Sequence, residues 1–260
     1  MGVTGGAMKI YAISDMHGQL DGLEPAGVDL VVVAGDFAIM KGWGVWHMND
    51  QVKWINRKFA AWCAKYPETD FCVIPGNHDL FAQHPDVPTK PEFPPNVHYI
   101  CNDVTEVRGL RIAGCSWIPR ISGRWAFETA DGAELSRRFA SLPEGPDILI
   151  THTPPFVEGS CIDLSLQTMS PHFGSPELTE AIRRTKPSYL FCGHIHTGDH
   201  EPLTIVHDDG SSTVCYNVSR LDENYEIAYA PRVLEVDPRE GQGDVRGAAR
   251  DPKGRVSEVG

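Results

Sequence analysis

Phe71-Cys72-Val73-Ile74-Pro75-Gly76-Asn77-His78-Asp79 decides how this chain is read. Four apolar, strand-forming residues stop at a proline and a glycine, and three polar side chains follow at once. A buried strand of this kind carries whatever follows it to one edge of a sheet. In open α/β sheets that edge is where ligands bind. The pattern recurs along the chain. Lys9 to Ile13 leads to Asp15-Met16-His17, and Leu30 to Val33 leads to Gly35-Asp36. Ile148 to Ile150 leads to His152, and Tyr189 to Phe191 leads to Gly193-His194-Ile195-His196. Each piece alone has a bland explanation: a D-x-H triplet is usually a surface turn, a G-D pair only a turn, and a lone histidine a satisfied core residue. Five such deliveries in one order point instead to a single metal-type site.

The donor set suits phosphoester hydrolysis. That reaction needs a water deprotonated near neutral pH and stabilised charge on the phosphoryl oxygens, and two divalent ions ~3.5–4 Å apart supply both. They ask for a bridging carboxylate together with imidazole and oxygen donors. Asp36, at a strand end, could bridge. Asp15 and His17 could clamp one ion if the chain leaves strand geometry between them. His194 and His196 share that spacing and could serve different ions, and Asn77 offers a neutral amide oxygen that preserves positive charge. His47, His84, His98, His172, His200 and His207 lack such a context and read as ordinary structural or surface histidines.

The full series D-x-H, G-D, G-N-H-D, H and G-H-x-H resembles the calcineurin-like metallophosphoesterase superfamily, over about residues 8–220. The resemblance implies two stacked mixed β-sheets flanked by helices, an α/β (α+β) fold. It implies one metal held by Asp15, His17 and His196, another held by Asn77, His152 and His194, and Asp36 bridging them. A hydroxide between the ions would be the nucleophile. His78 would not bind metal but would face the scissile phosphate and assist the leaving group, and Asp79 would hydrogen-bond His78 to orient it. The stretch Thr151-His152-Thr153-Pro154-Pro155, the block from Phe173 to His196, and Trp117-Ile118-Pro119 followed by Trp125-Ala126-Phe127 are similar to the metallophosphoesterase-domain-containing branch. Some members of that branch carry a histidine in place of the glycine of G-H-x-H, which weakens activity; Gly193 here favours an active enzyme.

Composition sets bounds on partners. The chain has 260 residues, 41% of them hydrophobic, enough for one large domain with a sizeable core. A formal charge of -12 argues against a nucleic-acid or anionic-membrane surface. Seven scattered cysteines with no C-x-x-C pair read as reduced, buried thiols of a cytoplasmic protein. Met1 to Ala7 does not read as a signal peptide, and no apolar run approaches the ~18 residues that span a membrane.

Between Asp50 and Tyr66 the apolar period becomes helical: Val52, Ile55, Phe59, Trp62 and Cys63 share a face. Further helices are expected around Leu135 to Leu142 and after Ser175. Short strands are expected at 97–100, 105–107, 111–113, 203–206, 213–217 and 232–236, with Arg108-Gly109 and Asp208-Asp209-Gly210 as hairpin turns. The domain is expected over residues 8–236, and the charged, Gly-rich stretch 237–260 reads as a disordered tail. The segment Phe37 to Met48 is rich in Met, Gly and Trp. Because it leaves the metal edge directly after Asp36, Trp43 and Trp46 are candidates to stack on a substrate ring, against a local core or a dimer contact. Arg120 and Arg124 could hold a phosphate oxygen or simply be solvated.

The leading expectation is a dinuclear phosphoesterase, foremost a phosphodiesterase acting on small diesters such as cyclic nucleotides. Mn²⁺ is the first candidate metal, ahead of Fe, Zn²⁺, Co²⁺ or Ni²⁺. One alternative is a metal-dependent nuclease, whose basic groove the acidic composition argues against. The other is a weakly active metal-binding scaffold, whose sign would be a lost ligand, and every motif position is filled. The sequence leaves the physiological substrate and oligomeric state open.

Overall fold

The computed structural model describes residues 7–42, 45–83, 90–165 and 172–236. The expected tail at 237–260 lies outside the described residues, as do His84 and Trp43.

Two mixed sheets face each other. The first has the order β11-β1-β2-β3-β4, from β11 (Arg232–Val236), β1 (Met8–Ile13), β2 (Leu30–Ala34), β3 (Asp70–Ile74) and β4 (Val97–Tyr99). The second has the order β5-β6-β7-β8-β10-β9, from β5 (Val104–Val107), β6 (Leu110–Cys115), β7 (Ile148–Thr151), β8 (Tyr189–Cys192), β10 (Ser212–Asn217) and β9 (Leu203–Val206). In each sheet a block of four parallel strands is closed by antiparallel edge strands: β11 on the first, β5 and β9 on the second. The parallel blocks matter most for function, because all their strands end on the same side.

Strand alternation builds two cores at once. Ile10, Ala12, Leu30, Val32, Cys72 and Ile74 face the opposite sheet, where they meet Ile112, Ile148, Ile150 and Phe191. Tyr11, Ile13, Val31, Val33, Phe71 and Val73 point the other way, to the helical face. This two-sided burial explains why these strands read as unbroken apolar runs. The far side of the second sheet is covered by α3 (Gly132–Ala140) and α4 (Pro176–Thr185), through Leu135, Phe139, Leu178 and Ile182. Both helices start where side chains satisfy free amides: Asp131 accepts from the Glu134 N–H at 2.8 Å, and Ser175 from that of Leu178 at 3.1 Å.

The helix expected from Asp50 is longer than its apolar period showed. α1 (Val45–Trp54) runs through a π-helical turn, Ile55–Phe59, into α2 (Ala60–Ala64). The added first turn contains Trp46 and His47, which precede the expected helix. The π turn inserts a residue into the register and so keeps Ile55, Phe59, Trp62 and Cys63 on one buried face. Hairpin expectations hold: Arg108 and Gly109 both have positive φ (53° and 81°), the geometry of a tight two-residue turn. All seven cysteines are free; five are buried and Cys101 half-buried, but Cys161 is exposed, against expectation. Among the described residues no helix is long and apolar enough to cross a membrane.

Phe59 anchors the helical face. It is fully buried, with ring centroids of Phe37, Trp62 and Phe93 at 4.8, 5.6 and 6.3 Å. Phe59→Ala leaves a cavity there and is expected to lower unfolding free energy by about 3–5 kcal/mol, read by urea titration.

Candidate metal centre

The side chains flagged as metal donors, and His78 with them, arrive at the edge where the parallel strands end. β1 delivers Asp15 and His17, β2 Asp36, β3 Asn77 and His78, β7 His152, and β8 His194 and His196. The two sheets are tied together at this edge. The Ser14 N–H donates to the Val218 carbonyl at 2.8 Å, and the Arg220 N–H donates back to the Ser14 carbonyl at 3.0 Å. A side chain at the end of a straight strand would overshoot the edge. Here the backbone turns sharply instead: Asp15, His17, Asp36 and His194 all have positive φ, at 52°, 43°, 50° and 70°. Non-glycine residues adopt this region at a cost and concentrate at functional sites when they do.

The result is a set of overlapping triads. Asp15, His17 and His196 can each point a ligand atom into one space, as can His17, Asp36 and His78, and Asp15, Asp36 and His152; within each triad these atoms lie within 4.8 Å of one another. Asp36 joins two of the three. Its Oδ2 lies 3.3 Å from His152 Nε2, 3.8 Å from His17 Nε2 and 4.0 Å from His78 Nε2. Asp15 Oδ1 lies 3.4 Å from His196 Nε2. Asn77 Oδ1 lies 2.9 Å from His152 Nε2, and the His194 ring packs 5.0 Å from that of His152. His194 and Asn77 therefore sit at the margin of the triads, on the His152 side.

The donor chemistry fits a cation. His152 Nδ1 donates to the Ala34 carbonyl at 2.9 Å, and His196 Nδ1 to the Asp222 carbonyl at 2.9 Å. This leaves each Nε2 facing inward, the usual outer support of a metal-binding imidazole. His152 Nε2 then confronts two oxygen acceptors, Asp36 Oδ2 and Asn77 Oδ1. Three lone pairs converge where only a proton or a metal ion reconciles them. Both ring nitrogens of His17 are buried and lack a hydrogen-bond partner. Burial opposes charge on His152, yet Asp36 pushes its pKa up to about 9; burial likewise opposes charge on His196, and Asp15 lifts it to about 9. Burial holds His17 and His194 down, to about 4 and about 3. Burial alone would raise Asp36 and Asp15, but His152 and His196 beside them outweigh it and hold both well below the usual carboxylate range.

Asp79 does something other than expected. Its carboxylate accepts from the Gly76 N–H at 2.8 Å, the Ala38 N–H at 2.9 Å and the Phe37 N–H at 3.3 Å. It makes no hydrogen bond to His78, whose Nδ1 has no partner. The turn at 76–79 folds Asp79 back under the loop, so the side chain pins the chain after β2 to the chain after β3. Burial and the nearby Asp36 push its pKa up to about 7. His78 is held by other groups. Its N–H donates to Asp36 Oδ1 at 2.7 Å, and its carbonyl accepts from Gln51 Nε2 at 2.7 Å. The Trp125 ring lies over its imidazole at 4.1 Å and 34°. Trp125 is brought there by Ala126, whose N–H donates to the Asn77 carbonyl at 3.0 Å.

The Trp-rich segment gives neither expected outcome cleanly. Trp46 is 86% exposed on the first turn of α1, so it is not a local core residue. Arg120 and Arg124 are exposed. His98 pairs with Asp70 at 2.8 Å and His172 with Asp163 at 3.0 Å, while His207 bonds Thr213 at 2.9 Å, as structural histidines should. His47 is buried on α1, its Nε2 without a partner. Sequence reading missed Ser219, which donates to Asp15 Oδ2 at 2.8 Å, and Tyr225, whose ring packs on His17 at 4.9 Å and His196 at 5.5 Å. Ser219 lies two residues past β10, the offset that Asp15 has past β1, so reading strand ends could have found it; Tyr225 sits deeper in the following loop, and only the folded chain reveals it.

The chain is similar to known proteins over most of its length. A family model for calcineurin-like phosphoesterases matches residues 8–198. Metallophosphoesterase domain-containing protein 1 of Homo sapiens is 30% identical over 254 residues, spanning 89% of this chain and 72% of that protein. UPF0046 protein T07D4.2 of Caenorhabditis elegans is 34% identical over 146 residues, 54% of this chain and 33% of that protein. Among solved structures, TT1561 of Thermus thermophilus shares the fold with a TM-score of 0.50 at 15% identity, covering 90% of this chain and 100% of that one.

Gly193 tests how tightly the edge is built. A Cβ there would lie 2.1 Å from Ser14 Oγ and 2.2 Å from Asp15 Oδ2. Gly193→Ala is therefore expected to displace the Asp15 carboxylate and to lower bound metal, measured by elemental analysis, while circular dichroism stays native. Full metal retention would show that the edge can relax.

Proposed function

The chain belongs to the calcineurin-like phosphoesterase family of metal-dependent phosphoric ester hydrolases, and on that premise we propose that it is a dinuclear phosphodiesterase acting on small diesters, cyclic nucleotides among them. The carrying observation is the convergence of His17, His78 and His152 on the buried Asp36 carboxylate, with Asp15 and His196 beside it. In this reading Asp15, His17 and His196 hold one divalent ion, Asn77, His152 and His194 the other, and Asp36 both; Mn²⁺ is the first candidate. Such a pair of ions would supply an activated water and neutralise the phosphoryl oxygens.

The chain's own residues do the rest. Two buried carboxylates do not cancel two dications, and the remaining positive charge favours an anionic phosphoester. The tethered Nδ1 atoms of His152 and His196 keep both imidazoles in position without searching for geometry. His78, held from its main chain and capped by Trp125, presents Nε2 toward the cleft. From there it can donate a proton to the departing alkoxide or hydrogen-bond a phosphoryl oxygen. His78 also lies within ligand reach of Asp36, so its role as acid and its role as ligand make different predictions.

Hydrolysis of bis-p-nitrophenyl phosphate with Mn²⁺, compared with p-nitrophenyl phosphate and with chelator present, tests the diesterase reading. Preference for the diester and loss with chelator are expected; preference for the monoester would turn the assignment to a phosphatase. Asp36→Asn should abolish turnover and strongly reduce bound metal. His78→Ala should keep both metals while turnover falls by ~10²–10⁴, the range for a general acid or base. The fall should be smaller for p-nitrophenyl esters, whose leaving group needs little protonation. A metal lost from the His78 variant would make that residue a ligand.

A further inference from the structure

Tyr225 lies on the loop that follows β10, and the chain goes to unusual lengths to hold it there. Its φ is +62°, a left-handed conformation that a bulky aromatic residue rarely adopts. The surrounding loop fixes it on every side. Asp222 Oδ1 accepts from the Asn224 N–H at 2.8 Å and the Glu226 N–H at 3.0 Å, and the Tyr225 N–H donates to the Asp222 carbonyl at 3.0 Å. A bridge between Leu221 and Ile227 closes the loop base. Gln19, from the loop after β1, donates to the Tyr225 carbonyl at 2.9 Å. The same Asp222 carbonyl accepts the His196 Nδ1 proton, so the loop that carries Tyr225 is wired directly to a proposed metal ligand.

The ring points over the site. It meets His17 at 4.9 Å and 74°, His196 at 5.5 Å and 78°, and His78 at 6.5 Å and 66°. Three imidazoles flank it, yet the residue remains 45% exposed. A tyrosine recruited only to pack the ligands would be covered on its outer side; this one keeps open surface at the mouth of the metal edge. Backbone strain at a position overdetermined by its surroundings marks a functional placement. An aromatic surface beside a phosphate site accepts a planar group by stacking, without reading its hydrogen-bond pattern.

We propose that Tyr225 is the specificity-determining residue of this site: its ring receives the planar group, a nucleobase or an aryl ring, of a phosphoester whose phosphate lies at the metal edge. This rests on the phosphoesterase reading given above and assigns its substrates to the aromatic class. It gives the stacking role to a residue whose ring meets the site directly, rather than to the segment of Trp43 and Trp46.

Binding measured by calorimetry on the full-length, Mn²⁺-loaded protein tests this independently of turnover, with adenosine monophosphate and inorganic phosphate as the two probes. The wild type should bind the nucleotide more tightly than phosphate. Tyr225→Ala should weaken the nucleotide by about tenfold or more, in line with the usual contribution of one base-aromatic stack, and leave phosphate within about twofold. Tyr225→Phe, which keeps the ring, should retain both affinities. Metal content of each variant is measured alongside. Equal losses for both probes, unchanged nucleotide affinity, or loss of metal from Tyr225→Ala would each overturn the proposal, the first and last by making Tyr225 a support of the ligands. Because the readout is affinity for two anions, a failed preference for diesters over monoesters would not disturb this result, and a failed stacking result would not disturb that one.

Discussion

Asp36 is a carboxylate at 1% exposure, and Asp15, fully buried, lies within the same small space. Two buried negative charges this close repel each other and have lost their hydration, a combination that costs several kcal/mol per ion unless opposite charge compensates it. The fold answers with imidazoles. His152 and His196 take the nearest positions, and their affinity for protons rises to about 9 because of the carboxylates they face. On the proposed reading, metal ions would take over the charge compensation that protons on these imidazoles supply. The arrangement is therefore not a hydrogen-bond network that happens to contain histidines. Its charge balance calls for cations, and His152 Nε2, set between two oxygens, is a position proposed for one.

That constraint reaches outward into the backbone. For Asp36 and His152 to approach each other from opposite sheets, the chain between them must have no side chain in the way. A Cβ on Gly76 would lie 2.2 Å from Asp36 Oδ1 and 2.7 Å from the His152 ring, and one on Gly193 would strike Asp15. The glycines of these motifs are thus the space through which the ligands meet. Asp79 serves the same end from beneath, its carboxylate binding three backbone amides so that the chains following β2 and β3 keep their separation.

The legible parts of the sequence were those governed by local rules. Buried parallel strands show as apolar runs, and a polar residue just past a strand end must lie at the sheet edge; β1, β2, β3, β7 and β8 and the residues after them followed from that. Asp79 departs from what the resemblance implies, a hydrogen bond to His78, because the tight turn sends its carboxylate to the Gly76, Ala38 and Phe37 amides instead. The start of α1 was missed because Trp46 is exposed and leaves no apolar period to read. Tyr225 was invisible for another reason: its position depends on Asp222, Gln19 and His196, residues brought together only by the closure of two sheets.

Those differences fall into a pattern with functional meaning. The side chains proposed to hold metal sit immediately past strands whose ends are locked between two cores, so their geometry varies little with the rest of the sequence. The aromatic rings beside that edge, Trp125 over His78 and Tyr225 over His17 and His196, sit on loops anchored to it through the Ala126 N–H and the Asp222 carbonyl. Loops tolerate change where packed strands do not. On the proposal that Tyr225 receives the planar group of the substrate, a chain built this way can keep one hydrolytic centre and alter what it accepts by changing a loop residue. Because both loops hydrogen-bond to residues of the site itself, such a change would still inherit a fixed registry with the phosphate position.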